Sequence, residues 1–141
     1  EEEIRSQTIT DLLYGAKGII FYSHFDVTTK IEELMPGRSK TEWGKVVRVA
    51  ALLKELESFI MSCGLPESLR IDSVPAGEVI GGVFRHNGEV RILLVNTGLK
   101  CRGTFTFTSE KPFRSKYGRT RFLGEGRYEF TADAVASDVL Y

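Results

Sequence analysis

The hydrophobic pattern of this chain changes its period near Gly64, and this change limits the folds that the chain can adopt. Before Gly64, apolar residues recur at helical spacing, most clearly between Trp43 and Ile60. After Pro66 they tend to alternate, as in residues 104–108, where threonines and phenylalanines take turns. The sequence therefore predicts a helical and mixed first part, residues 1–64, and an antiparallel β-sandwich, residues 65–141.

Two helices are predicted in the first part. Residues 2–14 carry apolar side chains near helical spacing, begin with glutamates that suit the positive end of a helix dipole, and stop at Gly15. Ser39 and Glu42 fit a capping box, and Thr41 is an alternative N-cap, so a long second helix is expected from there to Gly64.

A short apolar run, residues 19–22, lies between these two helices. It is too short for a helix and does not alternate, which is typical of a parallel strand covered on both faces. The first part is therefore expected to run helix, buried strand, loop, long helix, as in a repeating βα unit. In the second part, Asn87-Gly88 between two apolar runs predicts a hairpin turn.

The end of the predicted parallel strand is the candidate binding site, because ligands bind beyond the carboxyl ends of such strands. An aromatic ring there offers an apolar face to a sugar, while imidazole and carboxylate groups bind hydroxyls. Alternatively, the aromatic rings pack in the core and the aspartate begins a turn. Ser-His-Asp catalysis is not expected, because adjacent strand residues point to opposite faces. The candidate substrate-binding residues are Tyr22, Ser23, His24 and Asp26.

Composition argues against several other functions. Lysine plus arginine number 19 and aspartate plus glutamate number 19, so no general attraction to nucleic acid is expected. No apolar run approaches the roughly 20 residues of a membrane span. Cys63 and Cys101 have no nearby histidines, so we expect no metal site and either one disulfide or two free thiols. The basic stretch 111–121 is interpreted as a strand edge protected by charge.

Four segments resemble parts of glycoside hydrolases with a (β/α)8-barrel catalytic domain. Residues 3–23, which include the sequence GAKGIIFYS, are similar to the seventh helix and eighth strand of those barrels, and residues 43–56 are similar to the eighth helix. Residues 83–96 and 126–141 resemble a hairpin and the closing strand of the C-terminal β-sandwich in the same enzymes.

The resemblance implies an α/β plus all-β fold: a terminal fragment of a TIM barrel over residues 1–64, then the antiparallel β-sandwich over residues 65–141. A parent enzyme of this kind hydrolyses glycosidic bonds with two carboxylates and no cofactor. In the retaining enzymes these carboxylates stand on the fourth and seventh strands, which would precede Glu1.

The resemblance therefore implies that this chain belongs to a longer protein, has no catalytic residue and is inactive alone. It would supply scaffold and one wall of the sugar site, and the rest of the barrel would pack on its N-terminal segment. The alternative is a stand-alone, non-catalytic α+β module that binds carbohydrate or a protein partner.

Overall fold

The helices all lie in the first part of the chain. The computed structural model describes residues 1–21, 26–62, 64–75, 78–132 and 134–141, without the side chains of residues 26 and 27. None of the helices in these ranges is long and apolar enough to cross a bilayer. The elements are α1 (Glu2–Leu13), a π-helical turn (Asp26–Lys30), α2 (Ile31–Leu34) and α3 (Ser39–Ser62). Helices α1 and α3 confirm the two predicted helices.

Two antiparallel sheets follow, each with four strands among the described residues. The central sheet has the order β1-β3-β4-β8, and the outer sheet has the order β2-β5-β7-β6. The strands are β1 (Glu67–Ser68), β2 (Asp72–Val74), β3 (Val79–His86), β4 (Glu89–Asn96), β5 (Cys101–Thr106), β6 (Thr120–Gly124), β7 (Arg127–Ala132) and β8 (Ala136–Leu140).

The predicted hairpin is confirmed between β3 and β4. His86 pairs with Glu89, and Asn87 and Gly88 between them have φ angles of 48° and 81°. A two-residue turn with positive φ at both positions matches the right-handed twist of the strands it joins. Asparagine and glycine are the residues that adopt this backbone most easily.

The central sheet is buried on both faces. On one face it packs against α1 and α3, through residues such as Ile9, Leu56 and Leu93. On the other face it packs against the outer sheet, where Leu94 belongs to the same apolar cluster as Phe130. The protein is thus layered as helices, central sheet and outer sheet.

The expected TIM-barrel fragment is wrong. All strand pairs among the described residues are antiparallel, and residues 19–21, expected to be a parallel strand, form no strand. Ile20 is 92% exposed instead of buried. The reason is that an apolar run without alternation shows only that both faces of the segment are apolar and favour burial. In this chain that condition is met by antiparallel β4, whose residues 92–95 are all buried between the two cores. The division of the chain into two domains, 1–64 and 65–141, stays a prediction.

Candidate functional site

The predicted substrate-binding residues lie largely outside the described part of the chain. Tyr22, Ser23 and His24 are not among the described residues. Asp26 begins the π-helical turn with its backbone, and its side chain is not described. Their proposed contact with a sugar therefore stays a prediction.

The segment before these residues is attached to the end of α3. The Lys17 ammonium donates hydrogen bonds to the carbonyl oxygens of Ile60 and Gly64, at 3.0 and 2.5 Å. Gly15 lies so close to Leu65 that a Cβ atom on the glycine would stand 2.6 Å from the leucine Cδ2. Gly15 also has a φ of 94°, which favours glycine on its own account. These contacts hold residues 15–17 against the C-terminal end of α3.

The same region carries a group of exposed apolar side chains, here called the apolar surface. Tyr14 and Leu65 are each 74% exposed, Met61 is 64% exposed, and Ile20 is the most exposed of the four. Two adjoining depressions connect three of them, since Ile19 lines the one that contains Met61 and also the one that contains Tyr14 and Ile20. Leu65, the fourth, lies against Gly15, the chain neighbour of Tyr14. Single exposed apolar residues are ordinary, but a contiguous group commonly marks an interaction site.

A second feature is a cleft of about 730 Å³ at the turn end of the β3–β4 hairpin, bounded on its other side by residues 107–114. We call it the basic cleft, because its lining includes Arg85, Arg91, Lys111 and Arg114. The first two are held by carboxylates: Arg85 donates to Glu67 at 3.2 Å, and Arg91 donates to Glu89 at 2.9 Å. Lys111 and Arg114 make no ion pair with the described residues.

Aromatic rings form the floor of the basic cleft. Phe107 and Phe113 meet edge to face with centroids 5.5 Å apart, and both pack on the core between the two sheets. The backbone N–H of Phe113 donates to the Tyr128 hydroxyl at 3.2 Å, which anchors the backbone that carries this ring. At the far side, the guanidinium of Arg91 lies 4.8 Å from the centroid of the Tyr141 ring. The floor is therefore rigid and partly exposed, as a platform for a planar apolar face requires.

Tyr141 lines the basic cleft, and the raised pKa of its phenol reflects its burial. Its hydroxyl is buried and lies beside Glu55 and Lys116. Burial disfavours the phenolate, and it raises the pKa of Tyr141 from 10.0 to about 12. Burial likewise raises the pKa of Tyr117 above its ordinary value.

We expect the Tyr141 phenol to ionise late in an alkaline titration followed by absorbance at 295 nm. Since the folded state holds this proton more tightly than the unfolded state, the stabilising effect is complete below pH 10 and is lost as the pH rises through about 12. Tyr141→Phe should remove one late step, whereas Tyr14→Phe, which removes an exposed phenol, should leave that step in place. An unchanged titration in Tyr141→Phe would contradict the assignment.

The buried carboxylate of Asp138 fastens residues 115–120 to β8. Its two oxygens accept four hydrogen bonds: from the Ser115 hydroxyl at 2.6 Å, the Thr120 hydroxyl at 2.7 Å, the Tyr117 N–H at 3.0 Å and the Val139 N–H at 2.9 Å. Because this carboxylate is fully buried and accepts four hydrogen bonds, it has no lone pair left for a ligand. Asp138 is therefore a structural anchor.

The described residues contain no cluster suited to a metal ion. No group of three or more histidine, cysteine, aspartate or glutamate side chains with that geometry occurs among them. Cys101 is a free, buried thiol, and burial raises its pKa. Cys63 lies outside the described residues.

Sequence reasoning interpreted stretch 111–121 as a protected strand edge and did not find the basic cleft. Part of that stretch does run along an edge, because the Lys116 N–H donates to the Val139 carbonyl at 2.9 Å. Lys111 and Arg114, however, face the cleft together with Arg85 and Arg91 of the hairpin. The available signal was a basic, aromatic segment directly after an alternating strand.

Comparison with known proteins adds no relative to this picture: no protein-family model, no curated protein and no solved structure matches the chain.

Proposed function

We propose that this chain is the C-terminal, non-catalytic part of a glycoside hydrolase, in which it supplies scaffold and not the carboxylates that cleave the glycosidic bond. The observation that carries the proposal is the apolar surface of the helical layer. A group of exposed apolar side chains of this kind is where a further part of a longer protein would pack. Full burial of an exposed leucine, isoleucine or methionine side chain, such as Leu65, Ile20 or Met61, contributes about 1.5 to 3 kcal/mol.

The hydrogen bonds and ion pairs of the buried carboxylates support a non-catalytic role for this chain. A glycosidase requires a carboxylic acid with a raised pKa and a second carboxylate near it. Asp138 already accepts four hydrogen bonds, and Glu129 pairs with Arg102 at 3.6 Å and with Arg121 at 2.6 Å. Both carboxylates are therefore committed to structure.

The pKa shifts of the exposed carboxyl groups point the same way. Hydrogen bonds from Arg48, Ser39 and Lys45 lower the pKa values of Glu1, Glu32 and Glu42 respectively. For Glu55, burial is the largest single influence and acts to raise the pKa, but the neighbouring groups, led by the hydrogen bond from Lys116, together outweigh it, so the pKa is lowered. A general acid of a glycosidase needs a shift in the opposite direction.

The proposal predicts that this chain alone hydrolyses no glycoside, whereas a longer product of the same gene does. Release of nitrophenol from a panel of nitrophenyl glycosides, together with reducing-sugar assays on polysaccharides, measures this. Hydrolysis by the 141-residue chain would overturn the proposal, as would a reading frame with no hydrolase sequence upstream. The matched variant Tyr14→Ser/Ile20→Ser should raise the solubility of the chain alone, because it removes exposed apolar area.

The second candidate is a stand-alone, non-catalytic carbohydrate-binding module, and the basic cleft favours it. That cleft is built wholly from the described residues and needs no second domain to complete it. The same preparation separates the two candidates. If the wild-type chain oligomerises and the Tyr14→Ser/Ile20→Ser variant is monomeric, the scaffold role is supported. If the wild-type chain is already a monomer that melts cooperatively, the stand-alone module is supported.

A further inference from the structure

The lining of the basic cleft has a surplus of positive charge. It contains the four cationic residues Arg85, Arg91, Lys111 and Arg114, and two acidic residues, Glu89 and Glu110. The chain as a whole has a formal net charge of zero, so the surplus is local. Because Lys111 and Arg114 have no acidic partner among the described residues, two cations in the cleft can pair with a ligand without first breaking an ion pair.

The cleft pairs this charge with a preformed apolar platform. Phe107 and Phe113 are half-buried, and their other faces pack on the core, so their positions are fixed before a ligand arrives. The Arg85 guanidinium stands 5.6 Å from the centroid of the Phe107 ring, which places a fork of donors beside a ring face. A pyranose offers the matching arrangement, with C–H groups on one face and polar groups at its rim.

Two other anionic ligands fit less well. An extended acidic peptide commonly adds to an open strand edge, but at this end of β8 the backbones of Arg114 and Tyr141 already exchange hydrogen bonds, at 2.9 and 3.1 Å. A nucleic acid strand draws most of its affinity from many phosphate contacts, and two unpaired cations supply few of them.

We propose that the basic cleft binds an acidic oligosaccharide whose charge is a uronate carboxylate. Arg114 and Lys111 pair with the carboxylates, and Phe107 and Phe113 carry the sugar ring. The choice of a saccharide rests on the proposed carbohydrate function, whereas the preference for an anion rests on the cleft alone.

The test is isothermal titration calorimetry of the chain with hexagalacturonate, and with the fully methyl-esterified hexamer as the uncharged match. We expect binding of the acid form only, weakened by added salt. Lys111→Gln/Arg114→Gln should weaken binding by about tenfold or more, since it removes charge-assisted hydrogen bonds. Phe107→Leu should weaken binding with the charge unchanged. Arg127→Gln, at an exposed arginine outside the cleft, is the control and should bind as the wild type does.

Equal binding of the ester, or undiminished binding by the double variant, would overturn the proposal. Binding of a glutamate hexamer or of oligothymidylate as tightly as hexagalacturonate would overturn the choice of a saccharide. Circular dichroism and urea unfolding of each variant confirm that the fold is retained. Calorimetry on this chain does not depend on hydrolysis, so a failure here and a failure of the glycosidase assay are separate results.

Discussion

Asp138→Ala is expected to lower the free energy of unfolding by about 3 to 4 kcal/mol, because several polar groups lose one shared acceptor. The Ser115 and Thr120 hydroxyls and the Tyr117 N–H all donate to this carboxylate, which is fully buried. Each buried donor left without a partner costs about 1 to 3 kcal/mol, less where water can reach it. The loss is local to residues 115–120 and to the strand they are fastened to.

Asp138→Asn keeps the size of the side chain and removes its charge, so it tests how much of the loss comes from the hydrogen bonds. The oxygen that accepts the Tyr117 and Val139 N–H groups can be kept, and the amide nitrogen then donates to hydroxyls that rotate to accept. We therefore expect a loss of about 1 to 2 kcal/mol, clearly smaller than for alanine. Urea unfolding followed by circular dichroism measures both. Asp72→Ala, at an exposed strand position with no side-chain partner among the described residues, should change stability by less than about 0.5 kcal/mol. Equal stabilities for Asp138→Ala and Asp72→Ala would contradict the anchor.

The second large effect is expected at Arg5, a buried cation on α1. It is 6% exposed, and its guanidinium carbon lies 3.6 Å from the centroid of the Tyr117 ring. Its Nε–H donates to the Ser137 hydroxyl of β8 at 3.1 Å, and an Nη2–H donates to Glu2 at 3.2 Å. The side chain thus joins the helical layer to the central sheet and to the segment that Asp138 holds.

Arg5→Ala should lower the free energy of unfolding by about 2 to 3 kcal/mol, from the loss of a desolvated cation–π contact and a buried hydrogen bond. Arg5→Lys keeps the charge but not the flat group over the ring, and should lose about half of that. A double-mutant cycle with Tyr117→Leu should give a coupling of about 1 kcal/mol or more. Arg48→Ala removes an exposed arginine that pairs with Glu1, and should cost under about 1 kcal/mol. A coupling near zero would mean that Arg5 acts through packing alone.

Elements with a strong local signal could be predicted from the sequence. Helix α1 is bounded by acidic residues and Gly15, helix α3 begins at Ser39, where the sequence predicted its start, and the β3–β4 hairpin turns at Asn87-Gly88. Each of these signals lies within a few residues of the structure it specifies, so no knowledge of the rest of the fold is needed.

The fold class and the basic cleft depend on contacts between distant residues, and these could not be predicted. The apolar runs 19–22 and 92–95 look alike in the sequence, yet Ile20 is exposed whereas residues 92–95 are buried by elements distant in the chain. Arg85 and Arg114 line one cleft only because the hairpin packs beside the segment after β5. The contact of Arg5 with Tyr117 likewise joins the two ends of the chain, and no spacing rule connects them.

Because β4 is buried on both faces, adjacent residues along it pack in different apolar cores. Leu93 packs with side chains of the helices and Leu94 packs with side chains of the outer sheet, although the two residues are adjacent in the chain. We therefore expect a change of side-chain volume at Leu93 to be compensated by a substitution at Ile9 or Leu56, and the same change at Leu94 by one at Phe130. Along this strand, compensating substitutions should therefore be sought across the layers and not in the adjacent residue.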